Sequence, residues 1–267
     1  MDLGLAGAAV IVAGGTTGMG RAAADCFAAD GARVAVLARS RDELDRAAAA
    51  LTELGSPDAV GVAVDLFDRA SVDAAIGELG ERWGHVNALV NAAGPMLGGL
   101  KSFETYTDED WHGVFDGLAL SAVRTIRAAL PFLRRADWAR IVNVSAMSTK
   151  RQSPPLIAYT ASKSALTSLT KNLAQTLAPE GILVNTVSPG TFASESFKAA
   201  LAQLPGVDEN DLYDVMRYIK QGFGHHVFLD RAAEPAEIGP VIAFAASARN
   251  TYMTGANINV DGGSDFT

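Results

Sequence analysis

Residues 8–21 read Ala8-Ala9-Val10-Ile11-Val12-Ala13-Gly14-Gly15-Thr16-Thr17-Gly18-Met19-Gly20-Arg21. Ala8 to Ala13 is a short apolar run bounded by glycines, the pattern of a strand buried on both faces. Arg21 to Asp30 continues with helical spacing and stops at Gly31. Gly14, Gly18 and Gly20 therefore lie in a strand-to-helix turn. Glycines there permit a tight turn and close approach of the backbone to a pyrophosphate at the helix N-terminus. The spacing is G-x-x-x-G-x-G rather than G-x-G-x-x-G. Taken alone, such a loop is also an ordinary strand–helix turn. Its place in the first strand–helix unit is what favours nucleotide binding.

The alternation continues outward from this unit. Arg33 to Ala38, Ala59 to Val64, Ala88 to Val90, Arg140 to Val144, Leu183 to Val187 and Asn257 to Val260 read as further strands. Helical patterns cover about Arg41–Leu54, a stretch ending near Trp83, Asp108–Arg135, Ile157–Leu177 and Pro235–Ala248. Buried strands alternating with helices predict an α/β fold, a doubly wound parallel sheet of about seven strands with helices on both faces. Ligands of such sheets bind at the carboxyl ends of the strands. No linker, repeat or low-complexity tract divides residues 1–267, so one domain is expected. Residues 191–231 break the alternation, and a long insertion of this kind predicts a lid.

Composition narrows the class. The hydrophobic fraction is 49% and the charged fraction 19%, enough apolar material for a sizeable core. A net charge of −8 argues against a nucleic-acid partner. The single Cys26 rules out an internal disulfide and fits a reducing compartment, with a buried structural thiol the expected role. No apolar run reaches the roughly 18 residues that span a bilayer. With no signal peptide pattern, a cytoplasmic protein with no membrane partner is expected. No Cys/His/carboxylate cluster has metal-site spacing, so no metal is expected.

Tyr159 and Lys163 fall one turn apart on a predicted helix, on the same face. A free phenol titrates near 10, and an ammonium beside it favours the phenolate. The pair is therefore a candidate acid/base, expected to have a lowered phenol pKa. A solvated Lys packing on an aromatic is the alternative for the same spacing.

Five motifs occur in order: Gly14-x-x-x-Gly18-x-Gly20, Asn91-Ala92-Ala93-Gly94, Tyr159-x-x-x-Lys163, Pro189-Gly190 and Val260-Asp261-Gly262-Gly263. Together they resemble the classical short-chain dehydrogenase/reductase family, in particular members like 3-oxoacyl-ACP reductase, over about residues 4–263. The resemblance implies a Rossmann-type sheet, a nicotinamide cofactor and hydride transfer between that cofactor and a carbonyl or alcohol. It implies that Tyr159 is the acid/base and that Lys163 lowers its pKa and holds the nicotinamide ribose. It also implies a homo-oligomer, a tetramer or a dimer. Thr16, Thr17 and Met19 belong to the glycine loop that would hold the pyrophosphate. Asp65 and Leu66, after the third strand, fall where relatives meet the adenine. Asn91, Ala92, Ala93 and Gly94 would pass along the adenosine ribose, and Pro189, Gly190, Phe192 and Ser194 would meet the nicotinamide amide and the pyrophosphate. Arg39 follows the second strand, with Arg41 two residues on. A cation there favours the extra phosphate of NADP(H), where an acid would favour NAD(H). Both arginines are otherwise solvated residues at a helix start.

Two departures stand out. The family usually carries a catalytic Ser three residues after Asn143 and thirteen before Tyr159; here that residue is Ala146. It usually carries an Asn seven residues after Trp111; here that residue is Leu118. One lost donor of the first kind typically costs about 3–4 kcal/mol in the transition state. Ser145 and Ser148 are the candidate replacements. Strand alternation favours Ser148, which shares parity with Ala146 if the chain stays extended. His225 and His226 in the lid are a second possible source of a polar group, or two polar loop residues with no such role. The lid is rich in Phe192, Phe197, Leu201, Leu204, Tyr213, Met216, Tyr218, Phe223 and Phe228, which suggests a small, largely apolar substrate, unless these residues only pack the lid helices. The expected activity is that of an NADP(H)-dependent carbonyl reductase or alcohol dehydrogenase. A reductase of a conjugated C=C bond, and a non-catalytic nucleotide sensor on the same fold, are the alternatives.

Overall fold

A computed structural model describes residues 2–94 and 99–264. Within them the chain runs β1 (Ala9–Ala13), α1 (Gly18–Ala29), β2 (Arg33–Ala38), α2 (Arg41–Glu53), β3 (Ala59–Ala63), α3 (Arg69–Trp83) and β4 (Ala88–Asn91). It continues α4 (Asp108–Phe115), α5 (Ser121–Leu133), β5 (Ala139–Val144), α6 (Ile157–Leu177) and β6 (Ile182–Pro189). Then come α7 (Glu195–Leu201), α8 (Leu212–Phe223), α9 (Gly239–Ala245) and β7 (Asn257–Val260). The strands form one parallel sheet of seven in the order β3-β2-β1-β4-β5-β6-β7, as expected.

Side-chain alternation along β1 shows how the two faces are built. Val10 and Val12 join a core with Phe27 of α1, Leu44 of α2 and Ile242 of α9. Ala9, Ile11 and Ala13 join the opposite core with Ile76 of α3, Phe132 of α5 and Leu177 of α6. Each large side chain buried this way contributes roughly 1.5–3 kcal/mol. The outer strands β3 and β7 are only half-buried along most of their length, because each has a neighbour on one side alone.

The order reverses between β1 and β4. That switch point opens a crevice at the carboxyl ends of the two strands. Ala13 pairs with Leu37 on one side and Asn91 on the other, so the glycine loop and the Asn91–Gly94 turn leave the sheet side by side.

One expectation fails. The continuous helix over 108–135 is interrupted by a π-helical turn, Asp116–Leu120, between α4 and α5. Thr107 and Asp110 form a capping box that starts α4 cleanly. The extra residue of the π turn brings Leu118 inward against Ala158 and Tyr159, and Ser121 Oγ donates to the Gly117 carbonyl at 2.7 Å. Apolar periodicity does not reveal such a turn, because one inserted residue shifts the stripe by less than the width of the buried face.

Candidate active site

The glycine loop and the Asn91–Gly94 turn are in backbone contact. A Cβ on Gly14 would lie 2.6 Å from the Ala93 nitrogen, and φ there is +80°. A Cβ on Gly20 would lie 2.1 Å from the Gly14 carbonyl oxygen. Only glycine permits this packing, and it brings the start of α1 down onto the loop. Thr17 at the N-cap makes no side-chain cap, and the first turn of α1 carries no acid. The N–H groups there are left for an anion. Met19 is half-buried, its side chain packed against the core.

A cavity of about 800 Å³ opens beside this loop, between α1, α2 and α7, with Thr16, Thr17 and Gly18 on its wall. Thr16 Oγ1 donates to Glu43 at 3.4 Å, which places a carboxylate at the cavity mouth. Arg39 is exposed, just past β2, and has no ion pair or hydrogen bond among the described residues. Asp65 is exposed after β3 and accepts from the Phe67 N–H at 2.9 Å. The Leu66 carbonyl accepts from Arg124 at 3.2 Å. Ser194 caps α7, accepting from the Phe197 N–H, and a Cβ on Gly18 would lie 3.6 Å from Ser194 Cβ. The 191–231 segment therefore begins directly over the glycine loop. The Phe192 ring is buried in the core, so any ligand contact there falls to its backbone. Gly190 follows β6 against Asp261, and its N–H donates to the Val260 carbonyl at 2.9 Å.

Tyr159 and Lys163 stand on the first turns of α6. Lys163 is 3% exposed, and its Nζ donates to the Val144 carbonyl at the end of β5 at 2.8 Å. The same Nζ would lie 3.2 Å from a Cβ on Gly94 and is 5.9 Å from the centre of the Tyr159 ring. Burial pushes the phenol of Tyr159 up to about 12 and the Lys163 ammonium down to about 8. The expectation of a lowered phenol is thus reversed. Desolvation outweighs the neighbouring ammonium, and the phenol is held as a proton donor at neutral pH.

Ala146 is 7% exposed and extended, and Leu118 is 1% exposed beside Tyr159. Neither supplies a polar atom. Ser145 is excluded as a replacement: its Oγ donates to the Lys163 carbonyl at 3.1 Å and lies 2.9 Å from Thr167 Oγ1, both on α6. Ser148 is held against the first turn of α6, and parity along a strand does not put it there. The strand ends at Val144, and residues 147–149 form a short 3₁₀ turn. Ser148 Oγ accepts from Thr160 Oγ1 at 3.1 Å, against the first turn of α6.

Sequence reading missed one feature. The side chain of Asn91 faces away from the cofactor edge, into a buried chain. Thr125 Oγ1 donates to Asn91 Oδ1 at 2.6 Å, Asn91 Nδ2 to Asn143 Oδ1 at 2.9 Å, and Asn143 Nδ2 to Thr170 Oγ1 at 2.9 Å. Asn91 thus ties β4 to β5 and meets a ligand only through its backbone. The signal was two asparagines, Asn91 and Asn143, near the carboxyl ends of neighbouring strands.

The apolar residues of the 191–231 segment are accounted for by packing. Leu201 and Val215 cluster with Phe197, Leu204 and Tyr218, and Met216 and Ile219 with Phe223. Tyr213 and Phe228 are exposed. The apolar composition of the lid therefore says nothing about the substrate. His225 and His226 part company: His225 is buried, and His226 is half-buried and edge-on to Phe228.

The family model described as Enoyl-(Acyl carrier protein) reductase matches residues 13–265. The chain belongs to the short-chain dehydrogenase/reductase family. It is 32% identical to Oxidoreductase asL5 of Sarocladium schorii over 262 residues, 97% of this chain and 96% of that one. It is 30% identical to the L-2,3-butanediol dehydrogenase of Corynebacterium glutamicum over 255 residues, 95% and 96% of the two chains. The L-sorbose reductase of Gluconobacter frateurii, solved with NADPH and L-sorbose, superposes with a TM-score of 0.90 at 29% identity over the whole of both chains. This short-chain dehydrogenase/reductase is therefore an oxidoreductase. No helix among its described residues is long and apolar enough to cross a membrane.

Proposed function

We propose that this protein is an NADP(H)-dependent reductase of small carbonyl compounds, or the reverse dehydrogenase. The observation that carries the reading is Lys163 Nζ, buried, bound to the Val144 carbonyl and adjacent to Gly94 at the edge of the crevice. The residues fit a dinucleotide: a backbone cradle closed by Gly14 and Gly20, a helix start without an acid, and a lysine with donors left for ribose hydroxyls. A reduced nicotinamide, when bound, supplies the hydride. Tyr159 gives its phenolic proton to the substrate oxygen, so carbonyl becomes alcohol. Lys163, charged below about pH 8, stabilises the phenolate left behind. Arg39, exposed and unpaired among the described residues, would take the extra phosphate of NADP(H), in keeping with the NADPH of the L-sorbose reductase.

Purified protein with NADPH and a panel of diacetyl, L-sorbose, phenanthrenequinone and cyclohexenone should oxidise the cofactor with at least one compound. Tyr159→Phe should abolish turnover and keep NADPH binding. Binding without turnover on any compound, or unchanged turnover in Tyr159→Phe, overturns the reading. Ala146 and the description of the matching family favour a second reading, reduction of a conjugated C=C bond, which depends less on the missing serine. Saturation of cyclohexenone to cyclohexanone, with the ketones untouched, would select it.

A further inference from the structure

His225 is 5% exposed, and its Nε2 is buried with no hydrogen-bond partner among the described residues. A buried polar atom left unpaired costs about 1–3 kcal/mol, so such an atom calls for a ligand. Its position says which ligand. His225 follows Gly224, the left-handed cap of α8. The carboxyl end of α8 is tied to the loop after β5 by two contacts. Ser153 Oγ donates to the Phe223 carbonyl at 3.2 Å, and Arg151 Nη2 lies 3.5 Å from the Gly224 carbonyl. That loop follows Val144, passes Ala146 and Ser148, and leads into α6 at Ile157, two residues before Tyr159. Residues 191–231 thus place a buried, unsatisfied imidazole beside Arg151 and Ser153, on the loop that joins Ala146 to the Tyr159 helix.

We propose that His225 Nε2 hydrogen-bonds the substrate oxygen, in place of the side chain that Ala146 lacks. This rests on the reading of the protein as a carbonyl reductase. Burial, with Arg151 nearby, holds the imidazole below its ordinary pKa, so it is neutral at pH 7. A neutral ring can carry its proton on Nε2 and donate it without adding charge to the pocket. His226 has no such role, because it is half-buried and edge-on to Phe228.

His225→Leu should lower kcat/KM on the best compound of the panel by roughly 100-fold or more, the usual cost of one oriented donor. The NADPH Kd should stay within about twofold. His225→Gln, which keeps a donor, should retain activity within about tenfold. Ala146→Ser in the His225→Leu background should recover at least tenfold of the loss, a rescue that a merely structural role would not show. A His225→Leu enzyme within threefold of wild type, or one that Ala146→Ser does not rescue, overturns the proposal. If the wild type reduces nothing in the panel, the carbonyl-reductase reading fails separately. The His225 imidazole nitrogen resonances then decide: a shift on adding diacetyl to the NADP⁺-loaded protein upholds the contact, and no shift removes it.

Discussion

Lys163→Met should cost all activity and yet relieve the folded protein. Lys163 is 3% exposed, with an ammonium held at about 8 against its ordinary 10.5. A depressed lysine is most favourable to the fold above 10.5, and that benefit is lost as pH falls through about 8. By linkage, the buried charge costs about 3 kcal/mol at about pH 6.5 and about 1 kcal/mol at about pH 9.5. Methionine fills a similar volume without charge. It also leaves the Val144 carbonyl without its 2.8 Å donor, a loss of roughly 1–3 kcal/mol. That second effect does not depend on pH and cancels when two pH values are compared. Urea unfolding of both proteins without cofactor, at about pH 6.5 and pH 9.5, is the assay. The stability of Lys163→Met relative to wild type should be about 2 kcal/mol greater at the lower pH. Equal differences at the two pH values would show that the ammonium is effectively hydrated. The desolvation account of both Lys163 and Tyr159 would then fall.

Three further outcomes follow from the site. Arg39→Asp should shift the ratio of kcat/KM values from NADPH towards NADH by about tenfold or more, the loss of one charged contact; an unchanged ratio removes Arg39 from the cofactor site. Ser148→Ala should lower kcat by roughly tenfold, whereas Ser145→Ala should leave kcat alone and lower stability by about 1 kcal/mol through its lost bond to the Lys163 carbonyl. Equal or reversed effects on kcat would take Ser148 out of the site. Gly20→Ala should destabilise by about 1–3 kcal/mol and weaken cofactor binding in calorimetry, because its Cβ meets the Gly14 carbonyl at 2.1 Å.

Much of this protein was legible from local pattern. Strand runs such as Arg33–Ala38 and Asn257–Val260, and the helix Ile157–Leu177, match the sequence reading residue for residue. Buried parallel strands and long amphipathic helices write their periods plainly. The π turn at Asp116–Leu120 did not show, because a single inserted residue hardly disturbs a helical stripe. Lid composition misled: Phe197, Leu201 and Met216 are apolar for the sake of their own helices. Ser148 was reached by assuming an extended chain, whereas the chain turns there and its hydroxyl is bound to Thr160.

By itself the sequence determined the doubly wound sheet, the glycine turn at its first crossover and the one-turn spacing of Tyr159 and Lys163. Those are short-range properties, set by side-chain period and by where only glycine fits. Tertiary structure alone decided the electrostatics of that pair. The pKa of a phenol or an ammonium depends on how much water surrounding segments remove, and those segments come from distant parts of the chain. Val114 and Leu118 pack with Tyr159, while the Val144 carbonyl and Gly94 enclose Lys163. It likewise separated His225 from His226, adjacent in sequence and alike in chemistry, by burying one with its nitrogen unpaired.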